Sequence, residues 1–124
     1  MKGRIIVLDR HFKIVDFDGS QEELSDVVRK EIGGWMESVH PRGLPYPYLM
    51  LVDEEGALKE NRVNRLASEL YNVDNRGYSP IMGTVAIMKE SMTDEGLDLD
   101  VLDNLDVIKV SALLTSKMLL DIDE

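Results

Sequence analysis

One helix in this chain has both of its ends written into the sequence, and it stands between stretches of a different periodicity. Ser20 followed by Glu23 is a capping box, in which each side chain satisfies a free backbone amide at a helix start. Leu24, Val27, Val28 and Ile32 then recur at helical spacing. Gly33-Gly34 supplies the positive φ that closes a helix. Together these predict a helix over residues 21–32. Before it, Arg4–Leu8 is a short apolar run closed by Asp9-Arg10. Lys13–Asp18 alternates, with Val15 and Phe17 opposite Asp16 and Asp18, which marks a strand with one buried face. Residues 9–12 then form a hairpin turn. After the helix, Trp35–His40 alternates again. A helix set between a hairpin and further strands restricts the chain to helices packed on a sheet.

The remainder extends that pattern. Pro41–Pro47 holds three of the four prolines and reads as a rigid loop. Tyr48–Val52 is a continuous apolar strand, Asp53–Gly56 a polar turn, and Gly83–Lys89 another strand. Val63, Leu66, Ala67 and Leu70 form one helical stripe within Asn61–Tyr71. Residues 72–80 read as a polar loop. Residues 91–106 are acidic with interspersed leucines, and a short helix is expected there. Val107, Val110, Leu114 and Met118 form a second stripe, and helix is favoured over strand for residues 107–120. The fold expected is α+β, a small, mostly antiparallel sheet of about five strands packed by two to three helices. The core domain is residues 1–90, and 91–124 is an acidic, helical C-terminal segment packed on it. Trp35 is expected to be buried where the first helix meets the third strand.

Charge narrows the function. With 124 residues the chain suits one domain able to bury roughly two-thirds of its unfolded surface. It has no cysteine, so disulfides, thiolate metal sites and thiol nucleophiles are excluded. Of the net charge of −10, residues 90–124 carry −8, from ten acids against two bases. A surface of that sign repels phosphates, so direct nucleic acid binding is not expected, whereas a basic partner is. No apolar run approaches the ~20 residues of a membrane helix, and Ile5–Leu8 is too short for a signal peptide.

Catalytic motifs are missing. No P-loop, dinucleotide-binding glycine pattern, nucleophile elbow or paired-histidine zinc motif occurs. His11 and His40 have no second ligand at metal spacing. Asp94–Asp106 lacks the glycine that a helix-loop-helix calcium site needs at its sixth position, and reads as a solvated face. A non-enzymatic protein without metal or cofactor is therefore expected. Glu37 stands out because it shares a strand face with Trp35, which is awkward for a core and natural for a cleft. Glu54, Glu55, Asn61, Arg62, Asn64 and Arg65 gather around the start of a predicted helix, where free amides and arginines favour an anion. With Glu37 they are the candidate ligand residues, although a capping asparagine and surface ion pairs explain the same cluster.

Four short segments in order carry a resemblance: Ile32-Gly33-Gly34-Trp35-Met36-Glu37-Ser38-Val39, Leu51-Val52-Asp53-Glu54-Glu55-Gly56, Asn61 to Ala67, and Gly83-Thr84-Val85. Over residues 4–89 the chain resembles an uncharacterised family of small domains of unknown function from phages, plasmids and Gram-positive bacterial genomes. It departs from that pattern in the Pro41–Pro47 loop and after Lys89. The family has no established activity to carry over. The resemblance implies a mobile-element accessory protein of the bacterial cytoplasm.

The expected function is binding of a host protein through the acidic surface of Asp94, Glu95, Asp98, Asp100, Asp103 and Asp106, which could imitate nucleic acid. The alternative is a small-ligand or nucleotide binder using the Asn61–Arg65 cluster. A homodimer is also expected, because Arg4–Leu8 reads as an unguarded edge strand and the 107–120 stripe is apolar nearly all round.

Overall fold

The computed structural model describes residues 1–59, 62–71 and 80–122. Chain order is β1 (Lys2–Leu8), β2 (Phe12–Asp18), α1 (Gln21–Ile32), β3 (Met36–Val39), β4 (Tyr48–Asp53), a 3₁₀ turn (Gly56–Leu58), α2 (Arg65–Tyr71), β5 (Val85–Thr93), β6 (Gly96–Asp100) and α3 (Asn104–Ile122). The fold is α+β. Every strand pairing in the six-stranded sheet is antiparallel. The order is β2-β1-β5-β4-β3, with β6 on β5.

Helices cover both sheet faces. On one, Leu24, Val28 and Ile32 of α1 pack with Ile5, Val7, Leu49, Leu51, Ala86 and Met88. On the other, Ala67 and Leu70 of α2 and Val107, Val110 and Leu114 of α3 pack with Ile6, Leu8, Met50, Val52, Val85 and Ile87. Alternate residues of one strand thus enter different cores. This is why Tyr48–Val52 reads as an unbroken apolar run instead of an alternation: all of β4 is buried.

α1 spans the residues its caps predict, with both hydrogen bonds of the box formed and Gly33 at φ 86°. α3 confirms the helical reading of residues 107–120, although it begins at Asn104. Its start carries the same reciprocal arrangement in another alphabet: the Asp106 amide donates to Asp103 Oδ1 at 2.8 Å, and the Asp103 amide donates to Asp106 Oδ2 at 2.9 Å.

Three expectations are corrected. The short helix expected in residues 91–106 is a β-hairpin instead: β5 runs on to Thr93 and β6 pairs with it from Lys89↔Asp100 to Thr93↔Gly96. Leu97 and Leu99 alternate with Asp98 and Asp100, a period of two that the density of carboxylates hides. β1 is no edge strand either. It lies between β2 and β5, so the dimer reasoned from its edge loses that premise. Finally, Trp35 is 66% exposed. It precedes β3 at the sheet margin, where Arg29 lies 4.6 Å over its ring, while Ile32 and Met36 fill the interior of the junction. Glu37 is likewise exposed, so no charge is buried there.

The loop Pro41–Pro47, which contains a cis Tyr46–Pro47 bond, is pinned by buried Leu44 and by the Gly43 amide donating to Leu70 O at 3.1 Å. Residues 72–79, expected as a loop, lie outside the described residues, as does Asn61.

Candidate functional site

The two ends of the sheet differ in charge. At the end where β2 finishes and α1 begins, Asp16, Asp18, Glu22 and Glu23 are exposed. Asp94, Glu95 and Asp98 of the β5–β6 hairpin are exposed at the same end. Gln21 ties the two groups together, its Nε2 donating to Asp98 Oδ1 at 3.1 Å and to Leu99 O at 2.9 Å. The acidic surface thus belongs to three elements and not to a tail. At the hairpin, Met92 and Leu97 are cross-strand partners, exposed by 75% and 55%. Leu105 and Ile108, one turn apart at the start of α3, are also exposed.

Below this surface lies a buried polar knot. Tyr48 Oη donates to Asp106 Oδ1 at 2.7 Å, and Lys89 Nζ donates to Asp106 Oδ2 at 2.6 Å. Burial works against the Asp106 charge, but hydrogen bonds from Lys89, the Asp103 amide and Tyr48 outweigh it and hold the carboxyl at about 2. Burial, then the bond to Asp106, pushes the Tyr48 hydroxyl up to about 12. Lys89 is disfavoured as a cation by burial, yet the hydrogen bond to Asp106 raises it above its ordinary value. The knot fixes the start of α3 to β4 and β5. Asp106, expected on the interaction surface, is therefore withdrawn from it. Asp100 is half-buried, accepting from Ser91 Oγ at 2.7 Å and from the Val101 amide at 2.8 Å. Asp103 is exposed and caps α3.

The opposite end holds the other candidates, in two groups. Glu54 and Glu55 follow β4 and are exposed, with the Glu54 amide donating to Trp35 O at 2.9 Å. Beneath them Asp53 accepts from Lys59 Nζ at 2.8 Å and from the Glu55 amide at 2.9 Å. Burial disfavours its charge, but these bonds prevail and its carboxyl lies below the ordinary value. A Cβ on Gly34 would stand 2.7 Å from both Asp53 Oδ1 and Lys59 Nζ, so the second glycine of the pair is a close-approach residue.

The second group surrounds the end of β1. Asn64 is 4% exposed and all its polar atoms are used: Nδ2 donates to Leu8 O at 3.0 Å and to Gly83 O at 2.8 Å, and Oδ1 accepts from the Ala67 amide at 3.1 Å. It is the cap of α2 and a clamp between β1 and the approach to β5, as the alternative reading of the asparagine anticipated. Arg62 is exposed and lies 3.8 Å from Asp9, and Arg65 is exposed on α2. Asp9 belongs to an open cleft of about 410 Å³ whose lining includes Arg10, His11, Lys13, Glu31 and Thr84. Residue spacing pointed to none of these, because the turn, α1 and the approach to β5 meet only in the fold. Among the described residues no three His, Asp or Glu side chains gather where they could hold a metal ion, and no helix is long and apolar enough to cross a membrane.

These features define a small α+β domain whose antiparallel sheet is covered on both faces and whose β2, α1 and β5–β6 hairpin bring exposed carboxylates together at one end. The chain belongs to the family described as Domain of unknown function (DUF3846), whose model matches residues 1–108. The match exceeds the resemblance over residues 4–89 because it takes in β6 and the capped start of α3. No curated protein and no solved structure matches the chain.

Proposed function

We propose that this chain is a non-enzymatic binding protein that engages a basic host protein through the acidic end of its sheet. The observation that carries the reading is the β5–β6 hairpin, whose exposed Met92–Leu97 pair stands among Asp94, Glu95 and Asp98. Exposed apolar side chains inside a field of one sign suit a protein partner: carboxylates steer the encounter and the apolar pair is buried on contact. The acids of β2 and α1 widen that field, presenting carboxylates as a nucleic acid presents phosphates. An accessory role in a phage or other mobile element, acting in the bacterial cytoplasm, fits such a surface.

The test is capture from host lysate by the immobilised chain, at low and raised salt, beside two variants. One neutralises the hairpin (Asp94→Asn, Glu95→Gln, Asp98→Asn) and the other removes its apolar pair (Met92→Ser, Leu97→Ser). The expected result is a discrete protein band, weakened by salt and by either variant. A band indifferent to both variants, or none at low salt, overturns the reading.

A further inference from the structure

The cleft at the other end of the sheet has a different character. Its volume of about 410 Å³ lies within the ~300–1,000 Å³ typical of small-molecule sites. Its charges are arranged unevenly. Lys13 Nζ stands 3.2 Å from Glu31 Oε2, and Arg62 stands 3.8 Å from Asp9 Oδ1, so both acids of the lining face cations of their own. Arg10 has no ion-pair partner among the described residues. It occupies the apex of a tight turn closed by the Asp9 amide donating to His11 O at 2.9 Å. The turn places the His11 ring beside it in the lining, and Thr84 approaches from the start of β5. Neither the His11 ring nor the Thr84 hydroxyl has a hydrogen-bond partner among the described residues. Val7 and Phe12 complete the lining, with Val7 buried and the Phe12 side chain packed into the core on the α2 and α3 side.

An arginine without an ion-pair partner among the described residues, set in a concavity, is unusual in a chain with a net charge of −10. Long-range repulsion makes such a chain a poor anion binder everywhere except where its own acids are neutralised locally. That condition holds in this cleft. Guanidinium, imidazole and hydroxyl groups can all donate hydrogen bonds to an oxyanion, and the guanidinium can do so in bidentate fashion. We propose that this cleft binds a small phosphorylated molecule, its phosphate held by Arg10, His11 and Thr84. Arg62 stands at the rim, 3.8 Å from Asp9 Oδ1, and the site is built without Asn64, Glu37, Glu54 or Glu55.

Amide-resolved NMR titration of the full chain with AMP and, separately, with uncharged adenosine tests this. AMP is expected to give saturable shifts at Arg10, His11, Phe12 and Thr84, with adenosine at least about tenfold weaker. Arg10→Gln and Thr84→Val should each weaken AMP several-fold. Arg10 is exposed and Thr84 half-buried, and unchanged thermal melting of the variants establishes that they fold. Saturable shifts confined to other residues, equal affinity for adenosine, or shifts unchanged in an Arg10→Gln, His11→Gln double variant overturn the site. The hairpin variants should bind AMP as the parent chain does, so failure here and failure of the protein-binding reading are separable.

Discussion

Tyr48 and Asp106, 58 positions apart in the chain, are joined by a buried hydrogen bond of 2.7 Å between the first residue of β4 and the first turn of α3. The same carboxylate takes Lys89 from β5, so one side chain holds two strands and a helix together. Asp106→Asn should leave Lys89 with only the more distant carboxylate of exposed Asp103, at 3.9 Å, as its counter-charge and cost about 2–3 kcal/mol. Tyr48→Phe removes one donor and should cost about 1–2 kcal/mol. Urea unfolding checks both, and a loss under ~0.5 kcal/mol for Asp106→Asn would show that the knot is not structural.

The same knot sets a pH dependence. Asp106 ionises more readily in the fold, at about 2 against an ordinary 3.8, so its contribution is complete above roughly pH 4 and fades as pH falls toward 2. The Tyr48 hydroxyl is raised from 10.0 to about 12, so its contribution is complete below pH 10 and is lost between there and 12. Stability measured against pH should fall at both margins, and Asp106→Asn should flatten the acid limb by roughly 2 kcal/mol. An acid limb identical in the variant would assign it to other carboxylates.

Trp35→Ala should cost no more than about 1 kcal/mol, the scale of an exposed cation–π contact. Leu51→Ala, in the core on the α1 side, should cost about 2–5 kcal/mol. Native tryptophan emission should be red-shifted and readily quenched by iodide. A blue-shifted, protected emission would contradict the exposure of this side chain.

Asn64→Ala should cost about 2 kcal/mol, since it removes a helix cap and leaves two carbonyls, Leu8 O and Gly83 O, short of a donor. Arg62→Ala, at an exposed ion pair, should be within about 0.5 kcal/mol of the parent. Equal losses at both positions would mean that the clamp around Asn64 contributes little.

Removal of residues 91–124 should abolish cooperative folding. β6 would be lost from the sheet, and Val107, Val110 and Leu114, which cover Ile6, Leu8 and Ile87, would be lost with α3. A soluble 1–90 fragment with a sharp thermal transition would refute that.

Local chemistry explains which parts of this fold are legible in the sequence. The capping box at Ser20 and Glu23, the stop at Gly33, the alternation of β2 and the apolar run of β4 all act within a few residues of themselves. α1 therefore appears over the span that its own caps dictate. α3 is readable as a helix, while its Asp103–Asp106 start is missed because an aspartate stands in for the usual glutamate. β6 is missed because alternating leucines and aspartates resemble a solvated acidic run when no partner strand is in view.

The sequence by itself determined the limits of α1, the strand character of most segments, the absence of thiol chemistry and the acidic sign of the molecule. Each depends on neighbours along the chain or on composition alone. Only the tertiary structure decided that β1 is central, that Trp35 is outside, that Asp106 is buried and that Arg10, His11 and Thr84 share a cleft. Those properties arise from strand order and from charges brought together across tens of residues. A buried carboxylate and a solvated one are the same letter until the lysine, tyrosine and backbone amide that neutralise it are placed around it.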